Sequence, residues 1–177
     1  MSLLNSQGAL CAYTEQLLCD PKYISLDNWD ENKYTKELIQ EDKNSIQGDL
    51  EHFDESLKQN KAWLWSNLFV VATHNNCRIK GTKPVEYILK PDDPNYDPYK
   101  YLEFDFETGM FIANSSLSKI EKEKVDYMIR TLGINCIHIQ RTKQLKMLKD
   151  RKDVGLEVNP HEYITAWNMT LENLEND

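Results

Sequence analysis

The sequence predicts an α+β fold with a mainly antiparallel sheet of about four to five strands, helices packed on one face, and a long N-terminal amphipathic helix. Three observations carry that reading. Apolar residues recur at helical spacing between Tyr34 and Trp65, β-branched and aromatic runs separated by turn residues fill the middle of the chain, and helix starts at Ser118 and Asn159 follow. With 177 residues, 40% hydrophobic and 28% charged, the chain is long enough for one domain to bury a core. That single domain, 1–177, divides into an N-terminal helix and loop (1–33), the long helix (34–66), a sheet meander with one helix (67–140) and C-terminal helices (141–177).

Leu10, Tyr13, Leu17 and Leu18 stand at helical spacing, and Asp20-Pro21 closes that first element. In the long helix Ile39, Ile46, Leu50, Phe53 and Leu57 follow at steps of 7, 4, 3 and 4. This register turns Ile46, Leu50, Phe53 and Leu57 inward and Asp49, Glu51 and Glu55 to water. Gly48 interrupts it at a cost of about 1 kcal/mol relative to alanine. Trp63 and Trp65, two apart, cannot share a helix face, so at least one needs cover from the fold or a partner.

Residues 68–71 and 85–89 then read as strands, and the three prolines and three aspartates between Pro91 and Pro98 as a loop. Residues 101–106 and 110–112 form a hairpin across Glu107, Thr108 and Gly109. Ser118 with Glu121 makes a capping box for a helix that ends at Gly133. Residues 134–139 read as a buried strand and 142–150 as a lysine-rich helix. Asn159, Pro160 and Glu162 start the last helix, whose packing stripe is Ile164, Trp167, Leu171 and Leu174.

Several function classes fall away. No apolar stretch approaches the roughly 18 residues that a membrane span needs, and the first ten residues lack the pattern of a secretory signal. Cys11, Cys19, Cys77 and Cys136 form no C-x-x-C pair and read as reduced thiols of a cytoplasmic protein. A net charge of −8 and a pI near 5.1 argue against nucleic-acid binding by overall charge. Glycine-rich phosphate loops and the common hydrolase and zinc-protease motifs are missing from the sequence, so no cofactor is expected and an enzyme is the less favoured class.

Two constellations carry potential chemistry. Glu103, Asp105 and Glu107 alternate with Leu102, Phe104 and Phe106, so strand geometry sets three carboxylates on one face, where they would hold Mg²⁺ or Mn²⁺ for phosphodiester cleavage. The string Phe104, Asp105, Phe106, Glu107, Thr108, Gly109 resembles the first motif of the DEDD exonucleases. The resemblance covers six residues and implies a later His or Tyr four residues before an Asp. Tyr127, His138, His161 and Tyr163 are instead followed by Thr131, Thr142, Thr165 and Trp167, so it does not extend to the family. In the second constellation, His74 and Cys77 with Cys136 and His138 would supply a tetrahedral N₂S₂ set for zinc if their segments met; buried apolar cysteines are the simpler reading.

Charge separates along the chain. Ten carboxylates stand against Lys33, Lys36 and Lys43 between Asp27 and Leu57, whereas Arg141, Lys143, Lys146, Lys149, Arg151 and Lys152 stand against Asp150 alone. The favoured reading is therefore a small cytoplasmic interaction protein, such as a regulatory subunit, adaptor, inhibitor or immunity-type partner. It docks an acidic helical face with Glu37, Glu41, Asp49 and Glu55 on a protein with a basic surface. Tyr96 and Tyr99 beside the proline-rich loop add candidate anchors, and a homodimer through the opposed charges is left open. A metal-dependent nuclease using Glu103, Asp105 and Glu107 is the alternative.

Overall fold

The computed structural model describes residues 2–24 and 38–176. The chain forms two compact units, Met1–Pro84 and Val85–Asp177. Among the described residues no helix is long and apolar enough to cross a membrane.

In the first unit the predicted long helix is replaced by short pieces. Helix α1 (Ser2–Ser6) opens the chain, α2 (Gln40–Ser45) stops at the extended Ile46, and strand β1 (Asp49–His52) follows. Gly48 is the reason for the break. Its φ is +105°, and a Cβ there would stand 3.0 Å from both Leu18 Cδ1 and Val70 Cγ1, so the chain turns where only glycine fits. A 3-10 turn (Glu55–Leu57) and helix α3 (Lys58–Lys61) complete the segment. Strand period then overrides helix period. Phe53 is fully buried, but Leu50, expected inside, is 49% exposed, and Glu51, expected outside, is buried.

Strand β2 (Leu68–Val71) forms as predicted and pairs antiparallel with β1, Leu50 opposite Val70 and His52 opposite Leu68. The main chain of Val70 is completed by the Gln7 side chain, whose Nε2 donates to Val70 O at 2.8 Å and whose Oε1 accepts from Val70 N at 2.9 Å. The predicted helix around Leu10 to Leu18 is likewise corrected. Leu10 and Leu17 form an antiparallel bridge, because Ala9 and Glu15 take positive φ and reverse the chain. The rings of Tyr13, Phe53 and Phe69 pack mutually, with centroids 6.1 to 6.5 Å apart. A π-helical segment, Asn75–Lys80, follows β2.

The second unit keeps the predicted hairpin. Helix α4 (Pro98–Tyr101) leads into strands β3 (Leu102–Asp105) and β4 (Met110–Ala113), with Phe104 opposite Phe111 on the buried face, ring centroids 5.0 Å apart. Helix α5 (Lys119–Leu132) starts on the Ser118/Glu121 capping box and ends at Gly133. Helices α6 (His138–Asp153) and α7 (Ile164–Asn176) complete the unit, α5 lying against β4 and α7 against β3.

The strand predicted at 134–139 is turn and helix instead. Ile134, Ile137 and Arg141 are buried at helical steps of 3 and 4, and the main chain of β4 beside them at Phe111 is met by the Asn135 side chain rather than by a strand. The strand predicted at 85–89 is a loop with a 3-10 turn (Tyr87–Leu89) that docks on α5, the Glu86 N–H donating to Met128 Sδ at 3.2 Å. Tyr163 at φ +57° delays the last helix to Ile164; of the predicted stripe, Ile164 and Leu174 are exposed and Trp167 is buried. The α+β mixture stands, but in place of the four- to five-stranded sheet with helices on one face the described residues form two two-stranded antiparallel sheets.

Arg141 holds the second unit together. It is fully buried, donates to Gly109 O at 2.9 Å and Ile134 O at 2.5 Å, and stacks its guanidinium 4.8 Å from the Phe111 ring centre. Asn135 adds a second tie to β4, its amide donating to Phe111 O at 2.8 Å and accepting from Phe111 N at 2.9 Å.

Two stability measurements check this architecture. Phe53→Ala is expected to cost about 3 to 5 kcal/mol in urea unfolding. Leu50→Ala is expected to cost under about 1 kcal/mol, as an exposed site does; a large Leu50 effect would restore the helical register. Gly109, at φ +70°, closes the hairpin against α6, where a Cβ would meet Thr142 Oγ1 and come within 2.5 Å of His138 O. Gly109→Ala should therefore lower the melting temperature by several degrees, corresponding to a loss of about 1 to 3 kcal/mol.

Candidate functional site

The most conspicuous surface of the first unit follows from the alternation in β1. Glu51 and Phe53 turn to the core, so Leu50 and His52 share the opposite face. The His52 ring reaches across to the main chain of the loop that follows, 2.8 Å from Ala62 O. A carbonyl only accepts, so Nε2 carries the proton.

That loop, residues 54–66, is closed at its base by Asn67, which is buried. Its carbonyl accepts from Phe53 N at 2.9 Å, its Oδ1 from Asp54 N at 2.8 Å, and its Nδ2 donates to Asp54 O at 3.0 Å. Two successive turns shape the tip, Leu64 N donating to Lys61 O at 3.0 Å and Asn67 N to Leu64 O at 2.9 Å. Trp63, 83% exposed, and Trp65, 59% exposed, stand on this tip with exposed Leu64 between them. The sequence signal was their spacing. Both indoles are more exposed than covered.

An acidic segment leads into the loop. Over residues 38–57, Glu41, Asp42, Asp49, Glu51, Asp54 and Glu55 stand against Lys43 alone. Glu41 is exposed on α2, and half-buried Asp42 accepts from the Tyr23 hydroxyl at 2.9 Å. Asp49 lies 3.8 Å from the Cys77 thiol, and Glu55 pairs with Lys58 at 3.2 Å. Glu37 lies outside the described residues. Glu41, Asp49 and Glu55 thus belong to three different elements, and the acidic helical face expected from the sequence is not one helix. Tyr96, half-buried, and Tyr99, exposed, belong to the second unit.

Beneath β1 lies a buried ion pair. Lys80, from the end of the π-helical segment, reaches the Glu51 carboxylate and donates to His52 O at 2.9 Å, with side-chain exposures of 0% for Lys80 and 6% for Glu51. Burial pushes the Glu51 carboxyl up against the opposing pull of the Lys80 ammonium. The Tyr13 phenol is raised well above its ordinary value by burial first and by the Glu51 charge second. Both charges are withdrawn from solvent, and the pair ties β1 to the end of the π-helical segment.

The carboxylates of the acidic strand are each engaged locally. Glu103 accepts from Ser115 Oγ at 2.6 Å and Ser115 N at 2.7 Å, which holds its carboxyl below the usual range. Asp105 accepts from Thr108 Oγ1 at 2.6 Å and Glu107 N at 2.9 Å and is lowered in the same way, the Thr108 hydroxyl contributing most. Glu107 pairs with Lys146 at 3.0 Å. Their work is to fix the hairpin turn and its exit.

Of the second constellation, His74 and Cys77 lie in the first unit, Cys136 and His138 in the second, and His138 Nδ1 sits 3.0 Å from Thr108 O. Among the described residues no group of three or more His, Cys, Asp or Glu side chains is arranged to hold a metal ion. No protein-family model matches the chain, and no curated protein matches it.

The buried pair yields a sharp expectation. Lys80→Met leaves the Glu51 charge uncompensated and should cost about 3 to 5 kcal/mol, whereas Glu51→Leu with Lys80→Met should recover most of that loss. Chemical denaturation of the two variants makes the comparison; equal losses would mean that the pair is not the tie described.

Proposed function

We propose that this chain is a small cytoplasmic protein-interaction protein, of the regulatory-subunit, adaptor, inhibitor or immunity type. It grips a partner of basic surface through the Trp63 and Trp65 loop and the acidic segment leading into it. The observation that carries the reading is the exposure of two neighbouring indoles on a loop clamped at its base. Large aromatic side chains left in water are what interfaces use as anchors, and a clamped loop holds them with little entropy left to lose on binding.

Charge supports the nature of the partner. Indole faces attract lysine and arginine head groups, at about 0.5 to 1 kcal/mol when exposed and about 2 when desolvated. The carboxylates of the segment that leads into the loop steer a basic surface into the encounter. The four cysteines are free thiols, which agrees with a cytoplasmic setting. No specific observation favours the nuclease alternative, since Glu103, Asp105 and Glu107 are engaged by their own neighbours.

The test begins with affinity capture from the native host and ends with measured affinities of the purified partner. Trp63→Ala with Trp65→Ala should weaken binding by about 30-fold or more, the effect of losing a hot-spot residue. The melting temperature should stay nearly constant, because both side chains are exposed. Raising salt should slow association. A direct partner whose affinity is unchanged in the double variant would overturn the reading.

A further inference from the structure

Helix α6 carries a second surface of opposite character, in the other unit. Arg141, Leu145 and Leu148 form its buried stripe. On the opposite side Ile139, Lys143, Met147, Asp150 and Val154 follow at steps of 4, 4, 3 and 4 and share one face. Ile139 is 57% exposed, Met147 46% and Val154, the residue capping the helix, 75%. Three apolar side chains are thus held in water along a line of about 22 Å, at 1.5 Å per residue.

Cations flank that line. Lys143 on it and Lys146 and Arg151 beside it are exposed, Lys149 is half-buried, and Lys152 lies on the side of Leu145 and Leu148. Lys146 contacts Glu107 at 3.0 Å and Lys149 contacts Asp153 at 2.6 Å, surface pairs of the kind that exchange readily for others. Solubility alone accounts for lysines on an outer face. It does not account for isoleucine, methionine and valine set between them at helical spacing.

We propose that this outward stripe of α6 is a docking surface for an acidic amphipathic helix of a partner protein. The apolar line seats the apolar face of that helix, and the flanking lysines and Arg151 meet its carboxylates. Charge complementarity chooses the occupant. A lipid surface fits less well, because Asp150 lies in the middle of the stripe and would have to leave water against a bilayer. Single-stranded nucleic acid fits less well too, since the stripe has no aromatic side chain on which bases stack. The inference concerns α6 alone and does not rest on the tryptophan loop. Together the two surfaces would let one chain engage a basic and an acidic partner.

The experiment uses the full chain, isotope-labelled for amide NMR, and a synthetic helical peptide of about sixteen residues, long enough to follow the stripe at 1.5 Å per residue. The peptide has leucines on one face and glutamates elsewhere; the control peptide replaces every glutamate by lysine. The glutamate peptide should shift amides along α6, centred on Lys143 and Met147. Ile139→Ser with Met147→Ser, and separately Lys143→Glu with Lys146→Glu, should each weaken it at least about tenfold, the equivalent of 1.4 kcal/mol. Because the shift map is recorded on the unaltered chain, a variant that fails to fold does not remove the test.

Several results would overturn the proposal: no α6 shifts up to about 1 mM peptide, a concentration that corresponds to about 4 kcal/mol of binding free energy; shifts confined to other elements; or equal binding of the lysine peptide. Uptake by phosphatidylcholine/phosphatidylserine vesicles in place of the peptide would assign the stripe to a lipid surface. A concentration-dependent rise in mass by sedimentation, lost in the α6 variants, would assign it to a second copy of the chain.

Discussion

The Lys80 ammonium, withdrawn from water between the Glu51 carboxylate and the His52 carbonyl, is the contact on which the first unit turns, because it joins the π-helical segment to the strand that begins the tryptophan loop. Arg141 has the same role in the second unit, where its guanidinium gathers the carbonyls of Gly109 and Ile134 beneath the Phe111 ring. Units this small have limited apolar area to bury. Each relies on one long cationic side chain whose stem packs and whose head satisfies backbone acceptors that lack a sheet or helix partner. Such ties are directional in a way that apolar packing is not, and they set where neighbouring segments lie.

One consequence is the form of the exposed surface on the first unit. With Glu51 drawn inward to Lys80, strand geometry turns Leu50 and His52 outward, and His52 fixes Ala62. Asn67 then closes the loop with its side-chain amide and its carbonyl. The two indoles stand on a scaffold rather than on a free segment. Their exposure is therefore a property of the folded chain, maintained at the expense of apolar area left in water.

Some of the structure was legible in short sequence signals. The hairpin across Gly109, the Ser118/Glu121 capping box and the β-branched run in β2 all formed where local chemistry put them. Each depends on interactions within a few residues, which a sequence window contains. The long helix and the strands at 85–89 and 134–139 depended on partners elsewhere, and the last helix starts late where Tyr163 takes positive φ. Residues 85–89 found α5 instead of a strand, and Ile134 and Ile137 found a buried helical stripe continuing to Arg141. The candidate site was half legible. The acidic segment and the spacing of Trp63 and Trp65 were visible, but the helix expected to bear them was not formed, and Glu37 lies outside the described residues.

The mixed helix and strand content, the net acidity, the separation of acidic from basic segments and the helix limits at Ser118 and Gly133 follow from the amino-acid sequence alone. Which of two competing periods governs residues 46–57 depends on contacts from the rest of the fold. Apolar residues at steps of 4, 3 and 4 satisfy a helix, yet the same stretch pairs as a strand once Gly48 takes positive φ and β2 offers hydrogen bonds. In that pairing Glu51 becomes an inside residue because Lys80 is there to meet it, and Leu50 becomes an outside one. The energy of a buried charge depends on its partner across the fold, and no local pattern contains that partner.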